Sequence, residues 1–170
     1  MNKALPTVIA LVAAALLQVA VAPHLAIGGV VPNLLLLVVV TLALVEGPQA
    51  GASAGFAAGL VYDLLGSGPI GPAALVLVVI GHLAGLVHSN MFAEGWRLPV
   101  TVVFLASLVA ELAYAGVLAV LGTGSPFWSS FTNVILPAAV YNGTLALLIY
   151  PVLARFLRRE KQMTTFRRLA

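Results

Sequence analysis

The chain has 170 residues, 62% of them hydrophobic and only 8% charged, with a mean hydropathy of +1.12 and a formal net charge of +3. A soluble domain carries roughly a quarter charged residues, so this composition cannot cover a water-facing surface and places the chain among integral membrane proteins. Cysteine is absent, which excludes disulfides and thiolate chemistry.

Apolar runs joined by short connectors predict one all-α domain, residues 1–157, followed by a basic tail, residues 158–170. Six membrane spans are expected near residues 5–22, 27–45, 49–65, 72–87, 99–121 and 134–157, packed as one compact bundle. The first run is long enough to cross a hydrocarbon core of about 30 Å. Lys3 before it and Ala20-Val21-Ala22 after it imitate a signal peptide. The run is too long for an h-region, however, and Pro23 would be the first mature residue, so a retained helix is expected. In the second span, Ile27–Val31 completes a crossing that 32–45 is too short to make alone, with Pro32 in a first helical turn and Asn33 just inside.

Glu46-Gly47-Pro48 then makes a tight hairpin into a helix bearing Gly51, Gly55 and Gly59, a spacing of four that Asp63 continues. Each such step advances about 40° around a helix, so the glycines form a slowly drifting stripe. Glycine is unfavourable in a helix in water, but in lipid a small-residue stripe admits a neighbouring backbone. The stripe serves either packing within the chain or docking of a partner's helix, and the other segments are read as arranged around it. Gly66 to Gly71 lack a basic companion and read as turn chemistry, not a phosphate loop.

The fourth span contains His82 and the pair Gly81-xxx-Gly85, and the connector after it carries Glu94, Trp96 and Arg97. Glu111 lies near the middle of the fifth span. An uncharged loop, 122–133, with Phe127, Trp128 and Phe131 reads as an interfacial aromatic segment. The sixth span includes Pro137, Asn142 and Pro151, and the chain then turns basic with Arg155, Arg158, Arg159, Lys161, Arg167 and Arg168. With six crossings, Lys3, Arg97 and these six residues fall on one side and no Lys or Arg on the other. The positive-inside rule therefore puts both termini in the cytoplasm. The tail is a topogenic anchor, or beyond that a contact for anionic lipid or a cytoplasmic partner.

Ionisable groups within spans are unfavourable by about 2.5–3.5 kcal/mol each at a helix centre, so Asp63, His82 and Glu111 need an explanation. Counted from the cytoplasmic helix ends at the α-helical rise, Gln18, Asn33, Asp63 and Asn142 lie ~20–21 Å deep, Glu111 ~18 Å and His82 ~12 Å. These six define an intramembrane polar layer, with Tyr62, Tyr114 and Tyr141 placed to close it. It is a set of separate interhelical hydrogen bonds, a shared pocket for water or a ligand, or a polar seam for a partner's helix. No metal-ligand spacing, nucleophile elbow, zincin motif or Walker loop occurs, so neither enzyme activity, a cofactor nor a metal is expected, and nothing points to nucleic acid.

The run from Pro32 to Val87 resembles the MreD family, the rod shape-determining membrane proteins of bacteria. The resemblance rests on Pro32-Asn33 before a Leu-rich helix, Gly47-Pro48 opening the glycine helix, G-x-x-x-G-x-x-x-D-L-L from Gly55 to Leu65, Gly68-Pro69-x-Gly71, and Gly81-x-x-x-Gly85. Where the family pattern often has Asp after the first proline, this chain has Asn33. The resemblance implies a non-enzymatic component of the cell-elongation machinery in the bacterial cytoplasmic (inner) membrane. Its implied partner is MreC, with MreB, RodA and a penicillin-binding transpeptidase in the wider complex. It also implies a fold like the six-helix substrate-binding subunits of energy-coupling-factor vitamin transporters. Ala10-xxx-Ala14 is similar to the docking pattern of those subunits, which makes a vitamin-capturing subunit the alternative function.

Overall fold

The computed structural model describes residues 5–88, 97–123 and 126–169, with side chains as far as residue 157. The chain is all-helical, with no strand among the described residues. Its helices are α1 (Leu5–Ala20), α2 (Leu34–Glu46), α3 (Pro48–Leu65), α4 (Pro72–Leu86), α5 (Arg97–Val120), the short α6 (Phe127–Ser130) and α7 (Leu136–Leu169). By length and apolarity, Arg97–Val120 and the continuous Phe127–Leu157 each suffice to cross a membrane. The helices Leu5–Ala20, Leu34–Glu46 and Pro72–Leu86 are apolar but shorter.

The centre of the bundle is α2, not the glycine helix around which the sequence was read as organised. All residues from Leu34 to Val45 are buried, and α1, α3, α4, α5 and α7 all pack against it. The physical reason lies in its composition: a helix apolar on every side has no face to give to water and is enclosed by its neighbours. The exterior is apolar too, with Leu16 66% exposed and Leu148 and Val152 each 70%. Such a surface suits acyl chains, where packing and hydrogen bonds, not water exclusion, hold helices together.

Three boundaries differ from the sequence expectation. Ile27–Val31 does not extend the second span. Ala22–Leu25 is a 3-10 turn, and Ile27 and Val30 exchange backbone hydrogen bonds of 3.1 and 3.0 Å around Gly28 and Gly29, both at positive φ. Helix α2 consequently begins only after Asn33, and Pro32 precedes it. The aromatic segment expected as a loop is helical from Phe127 onward, with the Phe127 and Phe131 rings stacked at 6.0 Å. A π-helical turn, Phe131–Ile135, joins it to α7, with the Leu136 N–H bonded to the Phe131 carbonyl immediately before Pro137. Finally, α7 runs through Pro151 to Leu169 without a break at the expected start of the tail.

The α2–α3 hairpin turns on Gly47, whose φ of 101° strains any residue with a side chain. Its N–H closes α2 on the Ala43 carbonyl at 2.9 Å, and Pro48 opens α3 where a missing N–H is harmless. The His88 Nδ1 lies 2.7 Å from the Leu44 carbonyl and so serves the last turn of α2.

Two clamped helix starts and the pocket beside them

The glycine stripe lies against α4. A methyl on Gly51 would run into the Gly81 carbonyl, one on Gly55 into the Leu77 carbonyl, and one on Gly59 into the backbone of Ala73 and Ala74. On the other helix, Gly81 is closed by the Gly51 carbonyl and Gly85 by Pro48. The two backbones touch along the whole stripe, so α4 occupies the face that a docking partner would need.

At the end of that contact stands Asp63, only 4% exposed. The start of α4 follows Gly71, which has no side chain to cap it. The Asp63 carboxylate takes that role from the neighbouring helix. It accepts from the Gly71 N–H at 2.8 Å, from Ala73 at 3.1 Å to either oxygen, and from Ala74 at 3.2 Å. A helix start presents unpaired N–H groups and the positive end of the helix dipole, so one carboxylate satisfies several donors and is itself stabilised. The Gly66–Gly71 turn is what folds α4 back onto it.

The start of α2 is held by amides. Asn33 caps its own helix, accepting from the Leu36 N–H at 2.9 Å. Gln18, from α1, accepts from the Leu34 N–H at 2.7 Å and donates to the Pro32 carbonyl at 3.0 Å. Asn142, from α7, accepts from the Asn33 N–H at 3.0 Å. Three helices are thus tied at one point, each supplying partners for backbone groups that the start of a helix leaves unpaired. Tyr141 adds a fourth tie, donating to the Leu25 carbonyl at 2.7 Å. The fit is incomplete: the Asn142 Nδ2 and the Ser107 hydroxyl are buried without hydrogen-bond partners among the described residues. Ser107, one turn before Glu111 on α5, is a polar core residue that the sequence reading missed; its spacing of four from Glu111 was the available signal.

The six polar-layer residues share no single hydrogen-bond network among the described residues. Gln18, Asn33 and Asn142 meet at the start of α2, Asp63 sits at the start of α4, and His82 is exposed on the outside of α4. Glu111 belongs to neither clamp. It lines a small pocket of about 50 Å³ with Asn33, Tyr62, Ala73, Leu77 and Tyr114, and it makes no hydrogen bond or ion pair among the described residues. A second, wholly apolar groove of about 490 Å³ runs between α1, α2 and α7, with Ala10, Ala14, Val38, Ile149 and Val152 among its walls. Of the basic residues assigned to topology, Arg155 is exposed on α7. The side chains of Arg158, Arg159, Lys161, Arg167 and Arg168 lie outside the described ones, as does Lys3. No group of His, Asp or Glu able to hold a metal occurs among the described residues.

An all-helical chain with an apolar exterior, a central helix apolar on every side and a backbone-to-backbone helix pair belongs to the class of helical membrane proteins. Its sequence matches the family model of the rod shape-determining protein MreD over residues 1–160. That match spans nearly the whole chain, and the chain belongs to the MreD family. No curated protein and no solved structure matches it. Membership gives it a role in the determination of rod shape and in cell elongation.

Proposed function

We propose that the chain is a non-enzymatic membrane scaffold of the elongation machinery that binds MreC and positions it during rod-shaped growth. In this reading it crosses the bacterial inner membrane six times with both termini cytoplasmic. MreB, RodA and a penicillin-binding transpeptidase belong to the same assembly. The observation that carries the proposal is the family match across residues 1–160. The eight-to-none division of Lys and Arg between the two sides supports the topology.

Cavity size weighs against the vitamin-transporter alternative. Small-molecule sites span about 300–1,000 Å³ and combine apolar walls with a few orienting polar groups. The Glu111 pocket, at about 50 Å³, is too small. The larger groove has the volume but no polar side chain to orient a vitamin.

Copurification of MreC with the solubilised chain is the direct test, and depletion of the chain should round the cells. Absence of both outcomes contradicts the scaffold reading. Reporter fusions after Gly68 and after Ser125 should report the outside, and a cytoplasmic signal at either would refute six crossings.

A further inference from the structure

We propose that the Glu111 pocket is a binding site for one organic cation, the ammonium or guanidinium head of a basic side chain or of an amine-bearing lipid. Asp63 and Glu111 flank the same region, yet their surroundings differ. Asp63 is satisfied by three backbone N–H groups and a helix start. Glu111, partly buried on α5, has no hydrogen-bond donor among the described residues. Among the described residues no Lys or Arg lies between Arg97, at the start of α5, and Arg155 on α7, so no basic side chain described there meets Glu111. A cation entering the pocket would favour the ionised carboxylate over the protonated acid.

The pocket selects for such a group by size, charge and lining. One water-sized probe needs roughly 10–15 Å³, so about 50 Å³ holds a few waters or one cationic head and little more. Tyr62 and Tyr114 line it with aromatic rings, a residue type that attracts cations, and Asn33 supplies a neutral polar wall. Tyr114 also places its hydroxyl near Gly68 of the turn. An anion is excluded by the carboxylate, and a bulky ligand by Val76 and Leu77.

The test uses the purified full chain in phosphatidylcholine nanodiscs, titrated with methylammonium or guanidinium chloride against sodium chloride at equal ionic strength. This needs neither MreC nor a shape phenotype, so its failure leaves the scaffold reading standing. Wild type should show a saturable change in tyrosine fluorescence, and a Tm raised by about 3–6 °C at about ten times the dissociation constant. Both responses should vanish in Glu111→Gln, which keeps the side chain's shape. Should that variant not fold, Glu111→Asp, which withdraws the charge by one methylene, should weaken binding several-fold. In phosphatidylethanolamine nanodiscs a response already saturated assigns the cation to lipid, and an unchanged titration assigns it to a protein's basic side chain. A wild type that responds to sodium as well as to methylammonium, or substitutions at Glu111 that leave the response intact, would overturn the site.

Discussion

Asp63 and Glu111 are both carboxylates on apolar helices, and they do opposite things. Asp63 is enclosed and accepts from Gly71, Ala73 and Ala74, so it fixes where α4 begins. Glu111 is partly buried beside a small pocket and accepts no hydrogen bond among the described residues. An intramembrane charge marks function by default. The pair teaches that the presumption must be tested against hydrogen bonding: a carboxylate already holding a helix start is architecture, and the one left over is free to meet a partner.

The comparison can be broken by substitution, beginning with the contact that delivers Asp63 to α4. Gly55→Leu should be the most damaging change, because even its Cβ meets the Leu77 backbone. A loss of about 3 kcal/mol or failure to insert is expected, read as the unfolding midpoint of protein in nanodiscs. Asp63→Ala should cost about 2 kcal/mol, since it strands buried N–H donors at a helix start. Gln18→Leu removes two hydrogen bonds from the α2 start and should cost about 1 kcal/mol. Glu111→Gln should stay within about 0.5 kcal/mol of wild type in phosphatidylcholine, because no hydrogen bond to a described residue is lost. Equal losses for Asp63→Ala and Glu111→Gln would erase the distinction between the two carboxylates.

Much of this was legible in the sequence wherever the signal was local. The period of four from Gly51 to Asp63 announces a close helix contact, and Gly47-Pro48 announces a hairpin. The run Leu34–Val40 is apolar on all sides, and that is why α2 is central, although the sequence reading gave the organising role to the glycine helix. What Asp63 does was not legible. Its role depends on how the Gly66–Gly71 turn returns the chain, and the donors it serves are backbone groups that carry no sequence signature. Depth along the membrane was also a poor guide to company: His82 faces outward on α4, while Asn33 and Asn142, far apart in the chain, are joined by one hydrogen bond of 3.0 Å. Depth counts one coordinate; partnership needs the rotation of each helix as well.

Asn33 sharpens the same point. Asn and Asp can each cap a helix start. Here the neutral amide lines the Glu111 pocket, so Asn33→Asp should leave stability nearly unchanged while tightening cation binding several-fold in the nanodisc titration. Weaker binding would mean that the pocket does not respond to charge.

The central claim, that Asp63 holds the fold while Glu111 does not, is tested most directly by amide hydrogen exchange at Gly71, Ala73 and Ala74 in nanodiscs. Wild type and Glu111→Gln should protect these amides equally, and Asp63→Ala should lose that protection while Leu34 and Leu36 at the start of α2 keep theirs. Retained protection at Ala73 and Ala74 in Asp63→Ala, or its loss in Glu111→Gln, would contradict the account.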